Sequence, residues 1–176
     1  MKLNLITLLF TAGFAMNSFA AVPDQGHGQI KFTGSIIDAP CSITPDSSNQ
    51  NVYLGQVSAL SLKDGGKSTP VPFSISLEKC DTVTKKSVAA TFTGAEKGDL
   101  LGITGSAKGA GIVLTDGSGS VIKLGTTTSA QAIMDGSNSL SFSAYLQGSM
   151  GEDGKTAATV VPGEFTSTAN YALSYP

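Results

Sequence analysis

Apolar residues in this chain recur at every second position, run after run, and no stretch sustains the three-and-four spacing of a helix. A period of two gives a strand one dry face and one wet face. Val71, Phe73, Ile75 and Leu77 alternate up to Cys80, with Ser74, Ser76 and Glu78 between them. Pro70 and Pro72 place the start of that strand at a sheet edge or an entrance, because proline cannot donate to a ladder. Val88, Ala90 and Phe92 repeat the pattern up to Thr93 and Gly94, and so do Leu140, Phe142, Ala144 and Leu146. Val52 and Leu54 open the series after the polar turn segment Pro45 to Asn51, and Val57, Leu60 and Leu62 continue it less regularly.

The intervals are turn chemistry. Lys63 to Thr69 reads as a loop, and Gly94 to Gly111 as loops with at most a short strand. Gly111 to Leu114 and Val121 to Leu124 flank Asp116, Gly117, Ser118 and Gly119, which signals a hairpin. Gly125 to Asn138 is polar and turn-rich. The last strand carries Phe165, Ala169, Tyr171, Leu173 and Tyr175 on one side against Thr166, Thr168, Asn170 and Ser174 on the other. Seven or eight short strands separated by turns, with 21 glycines and 14% charged residues, predict an antiparallel β sandwich of immunoglobulin-like type. A closed barrel is the competing architecture. The absence of tryptophan and the cysteine positions argue against an antibody-type domain.

Residues 1–20 have Lys2 as their only charge, an apolar run from Leu3 to Ala15, and Ser18, Phe19 and Ala20 before Ala21. That is the pattern of a secretory signal peptide cleaved after Ala20, and the apolar run falls short of the roughly 20 residues that span a bilayer. Removing 20 residues from 176 leaves a mature chain of 156, enough for one domain with a real core. Ten lysines, no arginine, and thirteen acidic residues then give a net charge of −3. Lys85 and Lys86 alone adjoin, so the clustered basic face that nucleic acid or an anionic membrane surface requires is not there. In an exported chain, Cys41 and Cys80 form one structural disulfide, worth roughly 4 kcal/mol by loop closure. No CxxC spacing points to redox work.

A search for chemistry returns little. His27 is the single histidine, so no Ser/His/Asp triad and no multi-histidine metal site can be built. The pairs Asp64-Gly65, Asp116-Gly117, Asp135-Gly136 and Asp153-Gly154 lack the alternation and closing Glu of a calcium loop and read as turns. Gly102 to Gly111 lacks the Lys-Ser/Thr ending of a phosphate loop. No catalytic residue, cofactor or metal is expected.

The alternation begins in an N-terminal arm. Ile30, Phe32, Gly34 and Ile36 fall on one side, and Gln29, Lys31, Thr33 and Ser35 on the other. An arm that follows Pro23, Gly26 and Gly28 has no upstream partner and is mobile unless tied down. It is either the ordinary first strand of the sandwich or an arm that completes a neighbouring subunit.

The run Gly28-Gln-Ile30-Lys-Phe32-Thr-Gly34-Ser-Ile36-Ile37-Asp-Ala39-Pro40-Cys41 resembles the N-terminal signature of pilin subunits of chaperone-usher pili, in particular the major rod subunits of P and type 1 pili. The tail from Gly163, fourteenth from the end, through Phe165, Ala169, Tyr171 and Leu173 to the penultimate Tyr175 resembles the family's C-terminal pattern. Pro176 lacks an N–H but leaves the terminal carboxylate available.

The resemblance implies an incomplete immunoglobulin-like sandwich that lacks its last strand. Residues 1–20 are then the leader, 21–37 a donor-strand extension and 38–176 the pilin domain. Gly28, Ile30, Phe32, Gly34 and Ile36 would enter a neighbour's groove, with Gly34 where no side chain fits. Gly163, Phe165, Ala169, Tyr171, Leu173 and Tyr175 would border the groove and meet a periplasmic chaperone. The implied partners are neighbouring subunits, that chaperone and an outer-membrane usher, on a route through the periplasm to a surface fimbrium that supports adhesion. A minor or adaptor subunit, a lectin-like secreted binding module and a secreted enzyme are the alternatives.

Overall fold

The computed structural model describes residues 26–34, 36–151 and 155–176. The leader expected over residues 1–20 lies outside them. The chain divides after Ile36 into two compact units. In the first, residues 28–34 and Ile36 join no strand. The strand expected from Ile30 is therefore not formed in the single chain. An extended segment gains its hydrogen bonds from a ladder, and none of the described strands offers this one a partner.

The second unit is all antiparallel. Its strands are β1 (Ser42–Ile43), β2 (Val71–Cys80), β3 (Ser87–Gly94), β4 (Glu96–Lys97), β5 (Leu100–Gly102), β6 (Thr104–Gly105), β7 (Ala110–Asp116), β8 (Val121–Ile122), β9 (Gln131–Ala132), β10 (Gly136–Gly148), β11 (Phe165–Thr166) and β12 (Ala169–Ser174). The main sheet runs β1-β2-β10-β7-β5-β4, with β8 on β7. A smaller sheet runs β12-β3-β9, and β11 pairs β6. Long β10 is the spine, since it pairs β2 from Gly136 to Ala144 and β7 from Phe142 to Gly148.

The dry faces of the two sheets meet over Phe142, Ile75, Leu77 and Val88, the least exposed large side chains. Each such burial stabilises by about 1.5–3 kcal/mol. Phe73 of β2 stacks on Phe142 at 5.6 Å and meets Phe92 of β3 edge-on at 6.4 Å. Cys41 and Cys80 are disulfide-bonded, tying the residue before β1 to the end of β2. The hairpin forms as expected, with Leu114 opposite Ile122 and Thr115 opposite Val121. In its turn, Asp116 Oδ1 accepts from Ser118 N–H, Ser118 Oγ and Ser120 N–H.

Four expectations are corrected. Val52, Leu54 and Val57 are half-buried but join no strand. Leu60 and Leu62 lie on a 3₁₀ helix, Ala59–Gly65, with Leu62 buried and Leu60 69% exposed. The one-turn helix α1 (Pro45–Ser48), with proline pre-set for its first turn, occupies part of the polar turn segment. The glycine-rich stretch after Gly94 holds three short strands, β4, β5 and β6. The last strand is two pieces, β11 and β12, because β3 ends at Gly94 opposite Ala169. Upstream of that point the chain takes its hydrogen bonds from Thr104 and Gly105 instead.

Pro72 of β2 sits where a donor is not needed. Ser76 accepts at its carbonyl from Thr44 N–H and donates its N–H to Ser47 Oγ, so the even-numbered residues of β2 face its outer edge. The carbonyl of Ser74 takes Gln50 Nε2 at 3.1 Å. Pro72 continues that edge.

Candidate functional site: an open groove beside the final strand

β12 pairs β3 along one edge, and its other edge carries no ladder partner among the described residues. Beside that edge the sandwich is open. A cavity of about 1060 Å³ runs between residues 51–57 and residues 160–168, floored by Leu62, Ala110, Ile112 and Leu146. A second, of about 410 Å³, continues between residues 47–52 and 167–171, floored by Phe73, Leu101, Leu114 and Ala144. The two share Asn51, Val52, Leu54 and Ile112, so they form one trough. Its floor is the main sheet's core face, which a complete sandwich would cover with one more strand.

Each wall is held by specific bonds. On one side Ser47 Oγ accepts from Ser76 N–H at 2.9 Å and from Thr44 Oγ1 at 3.0 Å, fixing α1 to β2. On the other, Phe165, Tyr171, Leu173 and Tyr175 lean half-buried on the core, while Ala169 is exposed. Gly163 lies flat against Ser106 and Ala107, where a Cβ would come within 2.5 Å of Ser106 Oγ. The backbone bonds Val161 N–H to Lys108 O, at 2.9 Å, and Ala107 N–H to Glu164 O, at 3.1 Å, secure that strap. Tyr171 donates its phenol to the carbonyl of Ser47 at 2.9 Å, joining the two walls. Burial pushes the Tyr171 and Tyr175 phenols above their ordinary range, so both keep their protons.

The arm residues form a separate set. Ile30 is 80% exposed, Phe32 88% and Ile36 fully so, and Gly28 and Gly34 are exposed as well. A Cβ at Gly34 would meet no atom within 4 Å in the single chain. Singly exposed apolar residues are ordinary, but three on one face of an alternating segment are not.

Sequence reasoning found the β12 wall and missed the opposite one. Its signal was present in Val52 and Leu54, which alternate like a strand, and in Val57, but all three lie against the trough with no ladder of their own. The floor residue Leu101 was hidden among glycines read as loop, while Ile112 fell in the expected hairpin. The arrangement can bind an extended apolar segment by adding it to a sheet edge. Among the described residues, no three of His, Cys, Asp and Glu come together as metal ligands.

The family model described as "Fimbrial protein" matches residues 30–176. The Fimbria A protein of Serratia marcescens is 54% identical, with 99% of each chain covered. The Major MR/P fimbria protein of Proteus mirabilis is 52% identical, again with 99% of each covered. Among solved structures, one of a chaperone-usher pilus superposes with a TM-score of 0.70 at 32% identity, covering 89% of this chain and all of that one. The P pilus rod subunit PapA superposes with a TM-score of 0.68 at 31% identity, covering 78% of this chain and all of PapA. The fold is thus shared with solved pilus subunits, and the chain belongs to the fimbrial protein family.

Proposed function

We infer that this fimbrial structural subunit polymerises into a pilus rod by donor-strand exchange, with residues 21–37 of one copy completing the domain 38–176 of the next. The observation that carries the reading is the unpaired edge of β12 above a trough floored by core side chains. An exposed alternating arm supplies the matching segment. Ile30, Phe32 and Ile36 would fill the trough, contributing about 1.5–3 kcal/mol each on burial, and their backbone would pair with β12. Before assembly the same edge accepts a strand from a periplasmic chaperone, which hands the subunit to an outer-membrane usher. The disulfide between Cys41 and Cys80 holds the root of the arm to β2 and is structural rather than redox-active. No catalytic step belongs to this function.

Hydrogen exchange tests the groove. A synthetic peptide of residues 26–39, added to the full chain, is expected to slow exchange of the β12 amides that face the trough and of residues 51–57. Slowing elsewhere, with β12 unchanged, overturns the assignment of the groove.

A further inference from the structure

The exposed apolar side chains outside the arm gather at the two ends of the sandwich. At one end, called the upper here, β2 finishes at Cys80 opposite Gly136, where β10 begins. Val83 follows in the turn after β2, its N–H bonded to Asp81 Oδ1. Met134 precedes β10 and adjoins Asp135, which holds Thr82. Ile37 leads to Pro40, whose carbonyl accepts from Asp81 N–H. Val83 is 82% exposed, Met134 74% and Ile37 71%.

At the lower end β10 finishes at Gly148 opposite Ala110, where β7 begins. Leu60 lies on the 3₁₀ helix, whose following residue Gly66 accepts at its carbonyl from Gly148 N–H. Met150 comes two residues after β10, and a Cβ at Gly65 would lie 3.3 Å from its Sδ. Val161 bridges to Lys108 just before β7 and lines the larger part of the trough. Each of the three is more than a third exposed. Among the described residues, only Tyr53 and Val121 are large, apolar and exposed outside these ends and the arm. Scattered single exposures need no explanation, whereas three at each end of one domain mark contact surfaces.

The direction of β12 brings the two ends of neighbouring copies together. β12 starts at Ala169 opposite Gly94 and finishes at Ser174 opposite Ala89, so it runs from the lower end to the upper. Every strand pairing described is antiparallel. An arm added to β12 in the same sense runs downward and leaves the acceptor's trough after Ile36, at the lower end. Five residues later the donor's chain reaches Cys41, bonded to Cys80 at the donor's own upper end. Five extended residues reach at most about 18 Å. The donor's upper end is therefore held against the acceptor's lower end.

We propose that these ends form a second contact between successive subunits, in which Ile37, Val83 and Met134 of the donor cover Leu60, Met150 and Val161 of the acceptor. The inference rests on the donor-strand reading. A patch this small would not hold two free copies together, but a short tether raises the local concentration of one end at the other to about the millimolar range. Burial of apolar surface then keeps the contact closed. The arm alone leaves a swivel at residues 37–40, which join no strand. The contact fixes how one domain follows the next.

Cross-linking within assembled fibres tests the contact. Photoreactive p-benzoylphenylalanine replaces Val83 in otherwise native full chains, and surface fibres are irradiated and digested. Mass spectrometry should find the Val83 segment joined to the segments that carry Leu60, Met150 or Val161. The same group at Leu60 should capture the segments of Ile37, Val83 or Met134, which covers a failure of the Val83 chain to assemble. At Val121, which is opposite Thr115 and hence midway along β10, it should give neither join. Capture of other segments, or of none, from both positions in fibres that still give a heat-sensitive ladder in SDS overturns the contact and leaves the donor strand standing. Monomer in unheated SDS overturns both, because nothing then brings the ends together.

Discussion

Phe142 of β10 meets Phe92 of β3 edge to face, with ring centroids 5.0 Å apart and planes at 81°. The contact joins the spine of the main sheet to the centre of the small one, and both rings are nearly inaccessible. It holds the two sheets together next to the trough, since Phe92 lies opposite Tyr171 and Phe142 stacks on Phe73. Phe142→Ala should lower stability by about 3–5 kcal/mol, read as a shift of the urea midpoint at unchanged slope. Phe92→Ala should cost a similar amount, and the double variant less than the sum, since the two share one contact. Additive losses would mean that the rings do not act as a pair.

Gly34 occupies the dry side of the arm, where a side chain would be expected, and in the single chain nothing crowds it. Gly34→Asn should therefore leave the unfolding midpoint of the domain and chaperone capture unchanged while abolishing polymers. Fibres of normal length on electron micrographs from that variant would remove the arm from the account.

The Cys41–Cys80 disulfide closes a loop with a sequence separation of 39 and is reinforced by the bond from Asp81 N–H to Pro40 O. Replacing both cysteines by serine should cost about 4 kcal/mol, seen as a lower urea midpoint. Reductant should lower the native chain to the same value and leave the double variant unmoved.

Asp135 Oδ1 accepts from Thr82 Oγ1 at 2.6 Å and from Thr82 N–H at 2.8 Å, linking the turn after β2 to the entry of β10. The Thr82 hydroxyl, then its N–H, holds the Asp135 carboxyl below the usual carboxylate range. A depressed folded value means that this stabilisation is present above the unfolded value, about 3.9, and is lost as pH falls through the folded one. Asp135→Asn should therefore narrow the stability gap between pH 6 and pH 3, read from thermal midpoints at the two pH values. An unchanged gap would show that the link contributes nothing.

What could be read from the sequence follows from which residues have a partner within the chain. β2 and β10 were legible because each alternates over a dry face that packs on the opposite sheet, and the β7–β8 hairpin because its turn residues Asp116 to Gly119 signal it. Ile30, Phe32 and Ile36 alternate as cleanly yet form no strand, since alternation records a burial pattern and not the identity of the covering surface. Val52 and Leu54 misled for a related reason, because they follow a strand's period beside a slot that stands open. Leu62 was placed on a strand although its burial comes from one turn of 3₁₀ helix. Ile133, buried within a polar, turn-rich stretch, carried no periodic signal at all. The split between β11 and β12 depended on where β3 ends, which local pattern does not encode.

The central claim is that an arm from one copy completes the next, and electrophoresis of the purified polymer in SDS, with and without boiling, tests it most directly. The account predicts a ladder of multimers in the unheated lane that collapses to monomer on heating, because a buried, fully hydrogen-bonded strand dissociates slowly. Monomer in both lanes, from protein that is folded without a chaperone, would contradict it and would mean that the groove is filled within a single chain.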